Sequence, residues 1–255
     1  MKSVSIIVPV HNPATDFEVT INSILNQTYR NTKILLVDDC STSGAERILK
    51  YLVHDNVSVL KTEKNGGGGA ARNLGLRHCV SDYIAFCDSD DVWPVDKLAR
   101  QIDFMERNGF LMSHTDMVSF DAIADVSLEL VTSEAIDLEH FLSQTDLYCS
   151  TVCIHKSVLG SNTFSEARIR HPFKLWVSIL EGGIRSYRVP DIKVSYLKRD
   201  GSVSSKPLLT LAYTLFAYVV YPKNKLFALR CLLARMLRAS SKNSRIFGGI
   251  FNDES

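Results

Sequence analysis

Short apolar runs alternate with amphipathic segments over the first third of the chain. Four runs rich in β-branched or aromatic residues predict buried strands: Val4–Val10, Lys33–Val37, Val57–Leu60 and Tyr83–Phe86. The segments between them carry apolar residues at helical spacing and predict helices: Asp16–Gln27, Ser43–His54 and Ala70–Cys79. Because doubly apolar strands that alternate with helices are typical of parallel sheets, the pattern predicts an α/β fold.

The pattern is weaker beyond residue 110. Asp137–Gln144 and Phe173–Glu181 have helical spacing, and Tyr187–Leu197 predicts a single strand or a strand pair. Residues 208–238 are strongly apolar with interspersed Lys and Arg, and they predict a helical hairpin broken at Pro222. We therefore divide the chain into an α/β domain, residues 1–205, and a C-terminal amphipathic helical extension, residues 206–255.

Composition narrows the class of protein. The chain has 255 residues, 45% of them apolar and 22% charged, as in soluble globular proteins. A net charge of +1 lacks the basic excess of a nucleic-acid binder, so we expect no nucleic-acid partner. No pattern indicates an oligomeric state.

Cysteine usage and apolar run lengths bear on location. The six cysteines form no CxxC pair, and we expect reduced, mostly buried thiols in a cytoplasmic protein. The N-terminal apolar run is too short for a signal peptide. The longest uncharged run, Pro207–Pro222, is shorter than the roughly 20 residues that a membrane-spanning helix needs.

Three carboxylates, Asp88, Asp90 and Asp91, follow the strand Tyr83–Phe86 directly. Crowded like charges disfavour one another's ionisation. One interpretation is that Asp90 or Asp91 caps the next helix, which accounts for one or two of the three. A divalent cation accounts for all of them, because Mg²⁺ and Mn²⁺ are commonly held by carboxylates together with substrate phosphates. The cluster therefore predicts a metal–diphosphate site.

Two further polar stretches lie at predicted strand ends, where open α/β sheets bind ligands. His11 and Asn12 follow the first strand, and Asp38–Thr42 follows the second. The second stretch has two interpretations: a capped turn, or a carboxylate that accepts an N–H from a nucleotide base.

A glycine-rich stretch, Asn65–Asn73, precedes the third predicted helix. It is either a flexible turn or a loop that lets a ligand approach the backbone closely. A dinucleotide fingerprint is disfavoured, because the stretch follows the third strand and not the first.

Five segments occur in one order: VSIIVPVHN, SILNQTY, ILLVDDCST, NGGGGAARNLG and YIAFCDSDDVWPVDKLARQ. Together they make the chain resemble the family 2 nucleotide-sugar glycosyltransferases. The resemblance is strong over residues 3–105 and weak over Phe173–Trp176 and Tyr196–Ser204. It implies the GT-A fold, a Rossmann-like mixed, mainly parallel sheet flanked by helices, for residues 1–205.

The resemblance also implies roles for particular residues. Base contacts, usually to uracil, would come from Pro9, His11, Asn12 and Asp39. Asp88 and Asp90 would lie against the ribose and diphosphate, and Gly67 and Arg72 would also bind the donor. Asp90 and Asp91 would hold Mn²⁺ or Mg²⁺. The metal would neutralise a leaving diphosphate while the sugar is transferred with inversion.

The chain departs from the family pattern where the general base is expected. The family places an acidic pair ahead of Leu-Trp, whereas this chain reads Arg170-His171-Pro172-Phe173-Lys174-Leu175-Trp176. Proline cannot accept a proton. Three interpretations remain: His171 is the base, Glu166 reaches the site from the preceding loop, or the protein binds the donor without transferring the sugar.

The resemblance further implies a UDP-sugar donor and a lipid-linked or growing surface glycan as acceptor, such as O-antigen or capsule. A rival class, the nucleotidyltransferases, needs a glycine-rich basic loop after the first strand, and Val10–Thr15 lacks one. Residues 208–238 are either helices packed on the domain or an interfacial element on anionic lipid. The second interpretation predicts peripheral contact with the inner face of the plasma membrane.

Overall fold

The computed structural model describes residues 1–121, 126–144, 146–167, 171–198 and 207–248. The strands are β1 (Val4–Val10), β2 (Thr32–Asp38), β3 (Val57–Lys61), β4 (Tyr83–Phe86), β5 (Asp91–Val92), β6 (Met112–Asp121), β7 (Val126–Leu130), β8 (Ala135–Ile136), β9 (Cys153–His155) and β10 (Ser186–Lys198). The helices are α1 (Phe17–Leu25), α2 (Ala45–Leu49), α3 (Gly67–Arg77), α4 (Lys97–Asn108), α5 (Leu138–Gln144), α6 (His171–Glu181), α7 (Pro207–Val220) and α8 (Lys225–Gly248).

The strands form one ten-stranded sheet whose main path is β3-β2-β1-β4-β9-β6-β10-β5. The half from β3 to β4 is entirely parallel. Beyond β4 the sheet is mixed: β9 is antiparallel to both of its neighbours, and β6 and β10 are parallel to each other. The predicted α/β fold with a mixed, mainly parallel sheet is confirmed.

Helices cover both faces of the sheet, and alternate residues of β1 serve different cores. Ile6 and Val8 pack with α1, α2 and α4, whereas Ile7 packs with α3, α5 and α6. All three side chains are fully buried. A strand buried on both faces needs apolar residues at successive positions, which is why β1 and β2 could be read from sequence.

Strand β6 carries polar residues into the core. Its buried members Ser113, His114, Thr115 and Asp116 are at most 3% exposed. The His114 ring bonds Ser186 Oγ at 2.8 Å and the Ser133 carbonyl at 3.0 Å. Asp116 accepts from Arg188 at 3.1 Å. Because each polar group finds a partner inside the sheet, burial is tolerated, but the strand has no apolar signature in the sequence.

Two sequence expectations need correction. Ser43–His54 is not one helix: α2 ends at Leu49 and a 3-10 turn follows, so Tyr51 is buried while Leu49 and Leu52 are about half exposed. Neither Asp90 nor Asp91 caps a helix, since α4 begins at Lys97 and Asp91 lies in β5.

Other expectations are confirmed. The predicted helices 137–144 and 173–181 correspond to α5 and α6. The segment 187–197 is one strand, β10, with a register shift between Arg188 and Lys193. All six cysteines lie within the described residues and are thiols that form no disulfide, and four of them are buried.

The predicted hairpin 208–238 is present as α7 and α8. Its inner side packs on the domain: Tyr218 is 2% exposed, donates to the Leu142 carbonyl and lies 5.0 Å from the Phe173 ring. Within the described residues, no helix has the length and apolar character needed to cross a bilayer. The proposed boundary at residues 205 and 206 and the motif residues 201–204 lie outside the described residues.

Candidate active site

Parallel strands bring three loops to one edge of the sheet. Val10 of β1 is in register with Asp38 of β2, and Ile7 is in register with Phe86 of β4. The chain therefore leaves the sheet at this edge after each of these strands, into His11, Asp39 and the acidic cluster. This is the carboxyl edge at which open α/β sheets bind ligands.

Asp39 holds the start of the glycine-rich helix. Its carboxylate accepts the N–H groups of Gly66 and Gly67 at 3.0 and 2.6 Å and the Thr62 hydroxyl at 2.8 Å. Gly67 has a φ of +80°, a conformation that favours glycine. Asp39 is only 3% exposed, so the carboxylate fixes the β3–α3 loop as part of the fold.

The two residues after β1 are arranged around the turn after β2. Asn12 has a φ of +48°, and its side-chain oxygen accepts the N–H of Thr42 at 2.7 Å. The His11 ring lies 2.9 Å from the Asp39 carbonyl and 3.1 Å from the Asn65 amide nitrogen. Thus His11, Asn12 and Asp39 lie together at the carboxyl edge of the sheet and form one rim of the candidate site. Pro9, half-buried, lies one residue deeper in β1.

The acidic cluster contains one buried carboxylate, Asp91, and two half-buried ones, Asp88 and Asp90. Burial, followed by the charge of Asp88, raises the pKa of Asp90 to about 6. The same two causes raise the pKa of Asp91 well above its ordinary value, although a hydrogen bond from Ser150 opposes the shift. Asp91 is 2% exposed, and its Oδ1 atom has no hydrogen-bond partner. An anion in this position is unfavourable without a nearby cation.

These carboxylates fit a hard divalent cation. Asp91 offers an unpartnered oxygen, and Asp90 and Asp91 are oxygen donors of the type that Mg²⁺ and Mn²⁺ prefer. Within the described residues, no group of three His, Cys, Asp or Glu side chains is arranged to hold a metal alone. A cation here would thus take further ligands from a substrate or water.

Arg72 supplies a buried cation beside the cluster. It lies on α3, is 3% exposed and pairs through Nη2 with Asp88. Its Nη1 atom lies 2.5 Å from Nε2 of His171, the first residue of α6. The guanidinium carbon lies 5.6 Å from the centre of the Phe164 ring. The sequence motifs did not indicate that His171 and Arg72 would meet.

The glycines of α3 allow this meeting. A Cβ atom on Gly69 would lie 2.1 Å from the Ser165 carbonyl oxygen, and one on Gly68 would lie 2.8 Å from Arg72 Nη1. At these two positions the chain's own atoms make the close approach: Ser165 from the segment before α6, and the side chains of Arg72 and His171.

A cavity of about 480 Å³ opens beside the acidic cluster. Its apolar wall comes from β6, β7, α5 and α6 and includes Met117, Leu130, Phe141, Phe173 and Trp176. Polar groups in the lining are Asp88, Asp91, Ser119, Ser150, His171 and Tyr196. The contribution of Ser150 had no signal in the sequence, because it sits in a short 3-10 turn before β9.

The two predicted general bases lie in different places. His171 lines the cavity, but burial and then the Arg72 charge lower its pKa to about 3. Glu166 is exposed and lines a separate cavity of about 640 Å³ with Lys61, Lys64 and Arg77. The structure therefore brings His171, and not Glu166, to the acidic cluster.

Comparisons with known proteins agree with this architecture. Residues 5–129 match the family model described as glycosyl transferase family 2. The chain is 31% identical over 219 residues to the putative teichuronic acid biosynthesis glycosyltransferase TuaG of Bacillus subtilis, covering 84% of this chain and 86% of that protein.

A second relative and a solved structure point the same way. The UDP-Glc:alpha-D-GlcNAc-diphosphoundecaprenol beta-1,3-glucosyltransferase WfaP of Escherichia coli is 30% identical, with 80% of this chain and 81% of that protein covered. The structure of S. aureus TarS 1-349 in complex with UDP-GlcNAc superposes with a TM-score of 0.73 at 19% identity, covering 94% of this chain and 73% of that one. The chain therefore belongs to glycosyltransferase family 2 and is an enzyme of that class with the GT-A fold.

Proposed function

We propose that the protein is a metal-dependent inverting glycosyltransferase. It moves a sugar from a UDP-sugar to a lipid-linked or growing surface glycan, such as O-antigen, capsule or a related polysaccharide. The observation that carries the proposal is the acidic cluster, in which a buried Asp91 has an unpartnered oxygen, placed between a buried Arg72 and an open cavity. The names of the relatives TuaG and WfaP support the glycan class of the acceptor, and the name of WfaP supports a uridine donor.

The donor lies along the carboxyl edge of the sheet. The base is bound by the rim of Pro9, His11, Asn12 and Asp39. Gly67, Arg72, Asp88 and Asp90 face the ribose and diphosphate. The shared edge of β1, β2 and β4, where three of the loops meet, supports these assignments.

Asp90 and Asp91 have a different electrostatic role from Arg72. Asp90 and Asp91 would hold Mn²⁺ or Mg²⁺, which when bound neutralises charge on the leaving diphosphate. Arg72 adds a fixed positive charge, oriented before the substrate arrives because Asp88 and His171 already bind it. The apolar wall of the cavity keeps water away from the donor sugar and so favours transfer over hydrolysis.

Inverting transfer also needs a base for the acceptor hydroxyl. His171 and Glu166 are the candidates from the sequence. The first already accepts a hydrogen bond from Arg72, and the second lies in the other cavity. This geometry supports the alternative of a donor-binding protein without transfer activity, which the following experiment separates from the main proposal.

Titration calorimetry with UDP-glucose, UDP-galactose and UDP-GlcNAc, with and without Mn²⁺, tests donor binding, and release of UDP tests turnover. Asp91→Asn should weaken Mn²⁺-dependent binding by about 100-fold, the effect of losing one charged contact of about 3 kcal/mol. Asp103→Asn, an exposed carboxylate paired with Arg107, is the matched control and should bind like the parent protein.

Three outcomes are informative. Binding and UDP release that both disappear in Asp91→Asn support the transferase. Metal-dependent binding of a UDP-sugar with no release of UDP, whichever glycan acceptor is added, supports the donor-binding alternative. Absence of binding to every UDP-sugar overturns the uridine assignment.

We also propose that the enzyme is cytoplasmic and docks on the inner face of the plasma membrane through the outer side of α7 and α8. The exposed apolar residues of this docking face are Leu215, Phe216, Val219, Leu226, Leu229, Leu233 and Met236. Exposed Lys223, Lys225 and Arg230 flank it, and residues 207–248 contain no Asp or Glu. An apolar stripe bordered by cations complements a bilayer with anionic headgroups.

The position of the docking face supports a lipid-linked acceptor. Tyr218 on the inner side of α7 contacts Phe173, and Phe173 lines the cavity. The cavity thus lies roughly one helix diameter, about 10 Å, behind the docking face.

Vesicle sedimentation tests the docking face. Phosphatidylglycerol-containing vesicles should bind the parent protein, and Leu229→Ser with Leu233→Ser should reduce binding about tenfold or more, since each loses apolar burial. The control is Leu49→Ser with Leu52→Ser. These two side chains are as exposed as Leu229 and Leu233 but lie on the other side of the sheet. Unchanged binding in the first variant, or a parent protein that dimerises through this face, would overturn the proposal.

A further inference from the structure

The contact between Arg72 and His171 defines the protonation state of the imidazole. A guanidinium can only donate hydrogen bonds, so Nε2 of His171, 2.5 Å from Arg72 Nη1, is an acceptor and carries no proton. The other ring nitrogen, Nδ1, is buried without a partner. His171 is therefore a neutral imidazole whose lone pair is already used.

The backbone around His171 is fixed from two directions. Its carbonyl oxygen accepts the Ser165 N–H at 3.0 Å, and Pro172, in the first turn of α6, restricts the next φ angle. Gly68 and Gly69 provide the space for the ring against α3. His171 and Pro172 stand where the family has its acidic pair. Their fixed backbone thus holds the His171 side chain rigidly.

Arg72 depends on this support. It is buried, and its Nε atom has no hydrogen-bond partner. Of its two terminal nitrogens, Nη2 reaches Asp88 and Nη1 reaches His171. Without His171 a second buried N–H of the guanidinium would lose its acceptor, and the side chain would turn toward another partner.

We propose that His171 is a positioning residue for Arg72 and not the general base. Its unprotonated Nε2 holds the guanidinium alongside Asp88, in the orientation that meets the donor diphosphate. The inference deepens the proposed function, because it rests on Arg72 facing the diphosphate.

A pair of substitutions separates positioning from base catalysis. In His171→Gln the side-chain oxygen can reach the place of Nε2 and accept from Arg72, but an amide cannot act as a base. His171→Leu fills similar volume and offers no acceptor. The measurements are the UDP-sugar Kd by calorimetry and the pH profile of UDP release between pH 5 and 8.

Positioning predicts that His171→Leu weakens UDP-sugar binding by about 10- to 100-fold, the range for losing a hydrogen bond to a charged group. His171→Gln should bind within about threefold of the parent, an allowance of less than 1 kcal/mol. The pH profile of His171→Gln should keep the shape of the parent profile, which agrees with an imidazole pKa of about 3.

The opposite pattern would overturn the proposal: unchanged UDP-sugar binding in both variants, with turnover strongly reduced and the acidic limb missing from the pH profile of the residual turnover, identifies His171 as the base. Parent-like behaviour of both variants would also overturn it. If His171→Leu fails to fold, His171→Met replaces it, because methionine has a similar volume and offers only a weak acceptor. Absence of donor binding in the parent protein would refute the proposed function instead.

Discussion

The two halves of the sheet present functional groups in different ways. From β3 to β4, strands are apolar and the polar groups come from loops that follow them, as with His11, Asp39 and Asp88. From β6 to β10, polar groups such as His114 and Asp116 lie within a buried strand, and the cavity wall comes from distant segments. The half from β3 to β4 is therefore determined by local sequence and the half from β6 to β10 by long-range packing.

A small set of side chains joins the halves. Phe164 lies between Phe86 of β4 and Trp176 of α6, with ring centres 5.2 and 6.1 Å away. On the other face, the Gln101 amide of α4 donates to Ser113 Oγ at 3.1 Å and to the Thr151 carbonyl at 3.0 Å. Changes at this junction should therefore affect both halves of the sheet.

The largest effect is expected for Phe164→Ala. The side chain is 1% exposed, and its removal leaves a cavity between the two halves. The free energy of unfolding should fall by about 3–5 kcal/mol, measured by urea denaturation. Phe216→Ala, at a half-exposed position, is the control and should change it by less than about 0.5 kcal/mol. A loss below about 1 kcal/mol in Phe164→Ala would show that the halves are stabilised independently.

Lys97→Met should alter the pH dependence of stability. Lys97 is fully buried, donates to Gln101 at 2.7 Å and lies 3.9 Å from the Trp93 ring centre. Burial lowers its pKa from 10.5 to about 8. The unfolded chain then binds more protons between these values, so the stability of the parent protein rises from pH 8 toward 10.5.

The rise attributable to Lys97 is at most about 3 kcal/mol, at about 1.4 kcal/mol per pKa unit. It should be absent in Lys97→Met and present in the control Lys156→Met, whose side chain is exposed. Denaturant melts at pH 8 and 10 measure it. A parallel rise in Lys97→Met would assign the effect to other groups.

Substitutions at Gly68 and Gly69 of α3 should have different effects on stability and binding. Gly69→Ala places a Cβ against a backbone oxygen, and the overpacking should cost about 1–3 kcal/mol of stability. Gly68→Ala meets the end of Arg72 at 2.8 Å and the edge of the His171 ring at 3.4 Å, and no backbone atom among its nearest neighbours, so we expect a smaller loss of stability but weaker UDP-sugar binding. Thermal melts and calorimetry on both variants test the distinction. Equal losses of stability would contradict it.

The sequence predicted the half from β3 to β4 closely. Val4–Val10 and Tyr83–Phe86 were predicted with the bounds that the structure has, because a doubly buried strand leaves an uninterrupted apolar run. Strands β6 and β9 were missed: one buries polar side chains, and the other has only three residues. The pairing of Arg72 with His171 joins residues far apart in the chain, which no local pattern encodes. The assigned roles of the donor and metal residues stay predictions.

The position of Trp176 has an optical consequence. The chain has two tryptophans, and Trp176 lines the cavity while Trp93 packs under α4 beside Lys97. An indole is sensitive to the polarity around it, so ligand entry into the cavity should change the emission of Trp176. In a Trp93→Phe background, the enzyme would carry a single tryptophan that reports entry of a ligand into this cavity without an added label.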